Sequence, residues 1–117
     1  MIQLKMPLLG ERYTKIYHDE DFNYNAPNRF AVVDAETNEE ISRINFQCGP
    51  IKENGVNGVA NEDLINMVIC RLQCFQETEF KCRENACAIT KLEEALMWLR
   101  MRTDKRVARS VEGTSKV

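Results

Sequence analysis

The run from Arg83 to Arg109, RENACAITKLEEALMWLRMRTDKRVAR, decides the fold. It contains neither glycine nor proline, and neither occurs before Gly113, so nothing interrupts a long helix. Ile89, Leu92, Leu96 and Leu99 recur at 3-4-3 spacing, the seam of a helix that packs on another helix. The partner lies just upstream. Leu64, Ile65, Val68, Ile69, Leu72 and Phe75 follow helical spacing behind Asn61, an expected N-cap, and Glu62 and Asp63 put negative charge at the positive end of that helix. Thr78 to Cys82 leave only a short link, so the two helices are expected to run antiparallel. Met97 and Met101, with Thr90 and Ala86, fall on nearly the opposite side of the second helix from its seam. A helix apolar on two faces needs a second surface to cover it, the sheet or another copy of the chain, and self-association is therefore expected.

Upstream, the pattern changes from period 3.6 to period 2. Arg29-Phe30-Ala31-Val32-Val33 is rich in β formers, Glu36-Thr37-Asn38-Glu39 is a polar turn, and in the run from Ile41 to Cys48 the side chains of Ile44, Phe46 and Cys48 share one face. Tyr13 to Tyr17 suits another short strand, His18 to Asp21 and Asn23 to Pro27 read as loop, and the start of the chain is otherwise ambiguous. Gly49 to Gly58 holds two Asn-Gly turn signals and no Gly-Lys-Ser/Thr, so it reads as a structural connector and not as a phosphate loop. The expected fold class is α+β: an antiparallel β region with its Gly/Asn-rich connector over residues 1–58, then a helical hairpin with a basic tail over 59–117.

Composition restricts the function classes. The chain has 117 residues, sixteen Lys+Arg and eighteen Asp+Glu, for a net charge of −2, which argues against a surface that tracks long nucleic acid. It shows no apolar run long enough to span a membrane and no signal-peptide pattern, so a soluble intracellular protein is expected. Five cysteines beside a single histidine read as reduced thiols. Cys70 and Cys74 fall inside the helical pattern, where they are expected to fill small apolar positions, and no metal site is expected. The charge is unevenly placed: residues 100–117 carry six positive and two negative charges, or +4, which leaves −6 on the rest. A compact basic end on an acidic body fits a local anion site, and equally the gathering of cations at a helix C-terminus.

Two clusters along the second helix are candidate binding groups. Arg102, Arg106 and Arg109 project within about 60° of one another, a stripe of like charge that an anion would relieve. Val111-Glu112-Gly113-Thr114 follows, with backbone amides and a hydroxyl suited to phosphate; a solvated basic face with a frayed end explains the same residues. At the other end Phe75, Arg83 and Asn85 should meet across the antiparallel pair. They could form a base-recognition corner, or simply core packing for Phe75 and a capping role for Asn85. No nucleophile–base pair, metal-ligand helix or Gly-x-Ser-x-Gly motif is present, and neither enzymatic activity nor a cofactor is expected. A small oligomeric nucleic-acid-binding or interaction adaptor is the competing class.

Five stretches carry a resemblance: Phe46 to Gly55, Asn61 to Leu64, Cys82 to Ala86, Thr90 to Leu99 (TKLEEALMWL) and Val111 to Thr114. Together they resemble the phage Tad-type anti-Thoeris sponges, and the helical hairpin is similar to that of the phage anti-CBASS cyclic-oligonucleotide sponges. The resemblance implies a non-enzymatic binder acting in the cytoplasm of an infected bacterium, assembled as a homodimer or homohexamer. Its implied ligands are cyclic ADP-ribose isomers, with cyclic di- and trinucleotides for related members. It also implies two pockets. In one, Phe75 stacks and Asn85 hydrogen-bonds; in the other, the downstream arginines with Gly113 and Thr114 converge from several chains. Ser110 stands where such relatives are expected to carry glycine.

Overall fold

The computed structural model describes residues 1–117, in two compact units, Met1–Val59 and Ala60–Val117. The first is a four-stranded antiparallel meander in the order β1-β2-β3-β4, with β1 at Ile2–Gln3, β2 at Thr14–His18, β3 at Arg29–Asp34 and β4 at Glu40–Asn45. The expected hairpin is β3–β4, with Phe30 opposite Ile44 and a register shift at Val32/Val33. Alternation along β3 buries Ala31 and Val33 on one face. On the other face Phe30 meets Phe46 edge-on at 5.4 Å and tilts against His18 at 6.0 Å. Asp34 ends β3 and organises the turn: its carboxylate accepts from the N–H groups of Glu36 (2.8 Å) and Thr37 (3.0 Å). The N–H of Thr37, then that of Glu36, hold its carboxyl below the usual range. The stability this adds is present above the unfolded carboxyl pKa and is lost as pH falls through the lower folded value.

The connector does more than link. It carries a single helical turn, α1 at Ile51–Asn54, and then runs back beside the end of β4, where Val59 exchanges hydrogen bonds with Asn45 and Gln47 (both 2.9 Å). Asn57 holds the backbone of Cys48 from both sides, accepting from its N–H at 2.8 Å and donating to its carbonyl at 2.9 Å. The return is close enough that only glycine fits at Gly58, where a Cβ would lie 2.4 Å from the carbonyl carbon and oxygen of Phe46.

The second unit is the predicted hairpin, α2 at Asn61–Gln76 and α3 at Arg83–Ala108, packed on each other across the Glu77–Cys82 turn. The α2 start differs from expectation. Ala60 is the cap residue, and its N–H donates to the Asp63 carboxylate at 2.8 Å, so Asp63 supplies the local hydrogen bond and Asn61 is already helical. At the turn, Gln76 clamps Cys82: its amide donates to the Cys82 carbonyl and its carbonyl accepts from the Cys82 N–H, each at 3.0 Å. Cys82 then caps α3, its Sγ accepting from the Asn85 N–H at 3.4 Å. Ile89, Leu92, Leu96 and Leu99 are half-buried, as the seam requires, and Ile69 is buried. Cys70 and Cys74 are exposed, a correction to the expectation that they fill apolar positions, because they lie on the outward side of α2. Cys70 beside it, before burial, raises the thiol pKa of Cys74.

Replacing Gly58 with alanine should separate the Val59 return from Phe46 and cost about 1–3 kcal/mol. Chemical denaturation of the variant beside wild type reads this directly; equal midpoints would mean the return strand yields freely.

Candidate functional site

α3 is ten residues longer than α2, so its C-terminal third outruns its partner. This length difference separates the candidate residues into two groups. From Asn85 to Arg106 the helix rises by about 30 Å at about 1.5 Å per residue, too far for one small ligand to touch both ends of one chain.

The hairpin turn holds the first group. Thr78 Oγ1 donates to the Phe75 carbonyl at 2.6 Å, and the neighbouring Gln76 holds Cys82, which puts Phe75 at the foot of α3. Phe75 is 38% exposed, so packing against the hairpin covers only part of it. Asn85 is half-buried; the capping bond uses its backbone N–H and leaves its side-chain amide to other partners. Arg83 opens α3 and is exposed. One group here was missed in the sequence: Arg71, one turn before Phe75 on the same face of α2, holds its guanidinium carbon 5.3 Å from the ring centroid. The i, i+4 spacing carries that signal.

The basic end behaves differently from a bare stripe of charge. α3 closes with Ser110 in the left-handed region at φ 59°, the Val111 N–H bonding back to Arg106 (3.0 Å) and the Ser110 N–H to Val107 (2.9 Å), a Schellman closure with serine in the glycine position. The tail then folds onto Arg106, whose side chain is 11% exposed. Its Nε meets Glu112 at 3.2 Å, and its Nη atoms donate to the carbonyls of Val111, Thr114 and Lys116 at 3.0, 3.1 and 2.8 Å. The expectation of three unneutralised arginines is thus corrected: Arg106 is satisfied within the chain. Arg109 donates to the backbone oxygen of Val117 at 2.6 Å. Arg102 is exposed and forms no ion pair, while Arg100 beside it faces Asp104 at 3.9 Å. Gly113 takes φ 79°, and the Thr114 hydroxyl donates to the Val111 carbonyl, so this hydroxyl is spent on the tail's own turn.

Between the two ends α3 presents Met97 (66% exposed), Trp98 (63%) and Met101, contiguous apolar surface beside Thr90, Glu93 and Glu94. The sheet unit has a small groove of about 230 Å³ lined by Asp19, Asn28, Asn45, Phe46 and Asn57 among others. Asp19 is buried there, with Arg29 3.8 Å from one carboxylate oxygen and no hydrogen bond to the other. No helix is long and apolar enough to cross a membrane.

A helical hairpin with an exposed aromatic and a half-buried amide at its turn and a cationic far end defines the class. Residues 38–104, more than half the chain, match the family model described as the Acb2/Tad1 hairpin domain, and the chain belongs to that family. The match runs from the β3–β4 turn through most of α3. A relative from Bacillus phage SBSphiJ7, named Thoeris anti-defense 1, is 47% identical over 139 aligned positions that cover 97% of this chain and 98% of the relative. The chain is thus an anti-defence protein of the anti-Thoeris type by family.

Two substitutions test the closure of α3. Ser110→Gly should raise stability by about 1 kcal/mol, because glycine takes the left-handed region without the Cβ penalty. Arg106→Ala should lower it by about 2–3 kcal/mol through loss of charge-assisted bonds to the tail. Arg106→Lys should recover only part of that, since one ammonium cannot reach four acceptors. Thermal melts of the three variants measure both effects.

Proposed function

We propose that the protein sequesters cyclic ADP-ribose isomers, glycocyclic ADP-ribose among them, inside the infected bacterium and releases them chemically unchanged. Anti-Thoeris action then follows from removal of the signal. The carrying observation is the turn of the hairpin, where the exposed Phe75 and Asn85, whose side-chain amide has no hydrogen bond within the chain, flank the Gln76–Cys82 clamp: one would supply a stacking platform and the other donors and acceptors for a base edge. Arg83 adds a cation at the rim. The distant end supplies a second pocket, for cyclic di- or trinucleotides, in which Arg102 and Arg109 from several copies face one ligand while Arg106, Gly113 and Thr114 shape the wall. A group of cations with few carboxylate partners is relieved when symmetry brings several phosphates among them.

The functional unit is a homo-oligomer, a dimer or hexamer. Support comes from the exposed Met97, Trp98 and Met101 face and from the absence of any side chain that is fully buried within one chain. Trp98 is the only tryptophan and reports on this directly. In an assembled protein its emission is blue-shifted and shielded from acrylamide, and Met97→Glu should expose it and reduce the sedimenting mass. An unshielded Trp98 in a monomeric wild type would refute assembly through this face.

Calorimetric titration with glycocyclic ADP-ribose and with a cyclic trinucleotide tests the pockets. Asn85→Ala should weaken the first ligand by tenfold or more and spare the second, and Arg109→Ala should do the reverse. Equal weakening of one ligand by both variants would defeat the two-pocket assignment. Heat-denaturing the complex should return the intact ligand, and a converted product would make the protein an enzyme.

A further inference from the structure

The cation over Phe75 adds a component to the turn site. Arg71 reaches back along α2 and places its guanidinium carbon 5.3 Å from the ring centroid. No carboxylate lies within ion-pair distance of it, and its side chain is exposed, so the arene is its identified close partner. Glu62 and Asp63, the acidic residues of α2, sit in its first turn, two turns or more away. An exposed cation–π contact is worth only about 0.5–1 kcal/mol, weak enough for a ligand to open.

We infer that Arg71 is the second wall of a nucleobase slot, with the base held between its guanidinium plane and the Phe75 ring. The inference rests on the proposed ligand site at the hairpin turn. A base stacked on both sides needs about 7 Å between the two planes, two layers of about 3.4 Å. From 5.3 Å the guanidinium has to lift by roughly 1.5 Å, a side-chain rotation opposed by no ion pair. Guanidinium planes stack on bases as aromatic rings do, whereas an ammonium group offers charge without a plane. In the empty protein the arginine covers the apolar ring face; in the occupied one it covers the base. The slot is therefore built by a single helix, with both walls one turn apart on α2, and Asn85 meets the edge of the base from α3.

The full-length protein and its Arg71→Ala, Arg71→Lys and Phe75→Ala variants, each checked for helicity by circular dichroism, are titrated with glycocyclic ADP-ribose. Arg71→Ala should weaken binding by about tenfold, and Arg71→Lys should fail to restore it. Wild-type affinity in Arg71→Ala would overturn the inference. Wild-type affinity in Arg71→Lys would overturn it too, because charge alone would then account for the contribution. Phe75→Ala separates the two levels. If it abolishes binding while Arg71→Ala leaves it intact, the turn site stands and only the second wall falls. If neither variant changes the affinity, the ligand does not bind at the turn and the site itself is refuted.

Discussion

The clamp of Gln76 on Cys82 is the contact on which the helical unit depends. Two hydrogen bonds from one amide satisfy both polar groups of a backbone residue, as a strand partner would, and they hold the last residue of α2 against the residue that caps α3. Everything about the turn follows from that. The seam leucines meet α2 because the helices leave the clamp side by side, and Phe75 and Asn85 lie at one end because they flank it. An unrestrained six-residue link would allow many crossing angles; a side chain that bonds across it leaves few.

The same helix pair shows how one chain separates two chemistries. At the turn an aromatic ring and an amide stand with Arg71 and Arg83, and at the far end arginines stand without a ring. The ten residues by which α3 exceeds α2 carry the second set beyond the reach of the first. The tail does not crowd this basic end at random. It spends Arg106 on four acceptors, which leaves Arg102 exposed and fixes the direction in which α3 closes. A charge cluster read as a single stripe is therefore one structural arginine among ligand-facing candidates.

Much of this was legible in the residues alone. Both helices followed from uninterrupted 3.6-residue spacing, and β3 and β4 from alternation around a polar turn. Four of the stretches that carried the family resemblance lie within residues 38–104 of the family model, Val111 to Thr114 lies beyond it, and the phage relative aligns over 97% of the chain. What was not legible depends on which of several possible contacts a residue makes, and residue type and spacing leave that choice open. β1 is two residues long and exists only by pairing Ile2 with His18 and Gln3 with Tyr17. α1 is one turn hidden between turn-forming glycines. Asn61 is a better cap by residue type than Ala60, yet Asp63 folds back to bond the N–H of Ala60. Arg106 looked like its neighbours on a helical wheel, and only the returning tail distinguishes it. Arg71 lay in plain view at i, i+4 from Phe75, but nothing in the spacing says whether an arginine turns toward a ring or toward water.

The engagement of Arg106 has a consequence for how the chain is degraded. A trypsin-like protease needs a free basic side chain to fill its specificity pocket and an extended backbone to thread its cleft. Arg106 offers neither, being helical and bonded through its guanidinium to four acceptors. Lys81 is similarly placed, since the peptide that follows it is held by Gln76. Cleavage after Arg106 or after Lys81 therefore requires that helix end or that turn to open first.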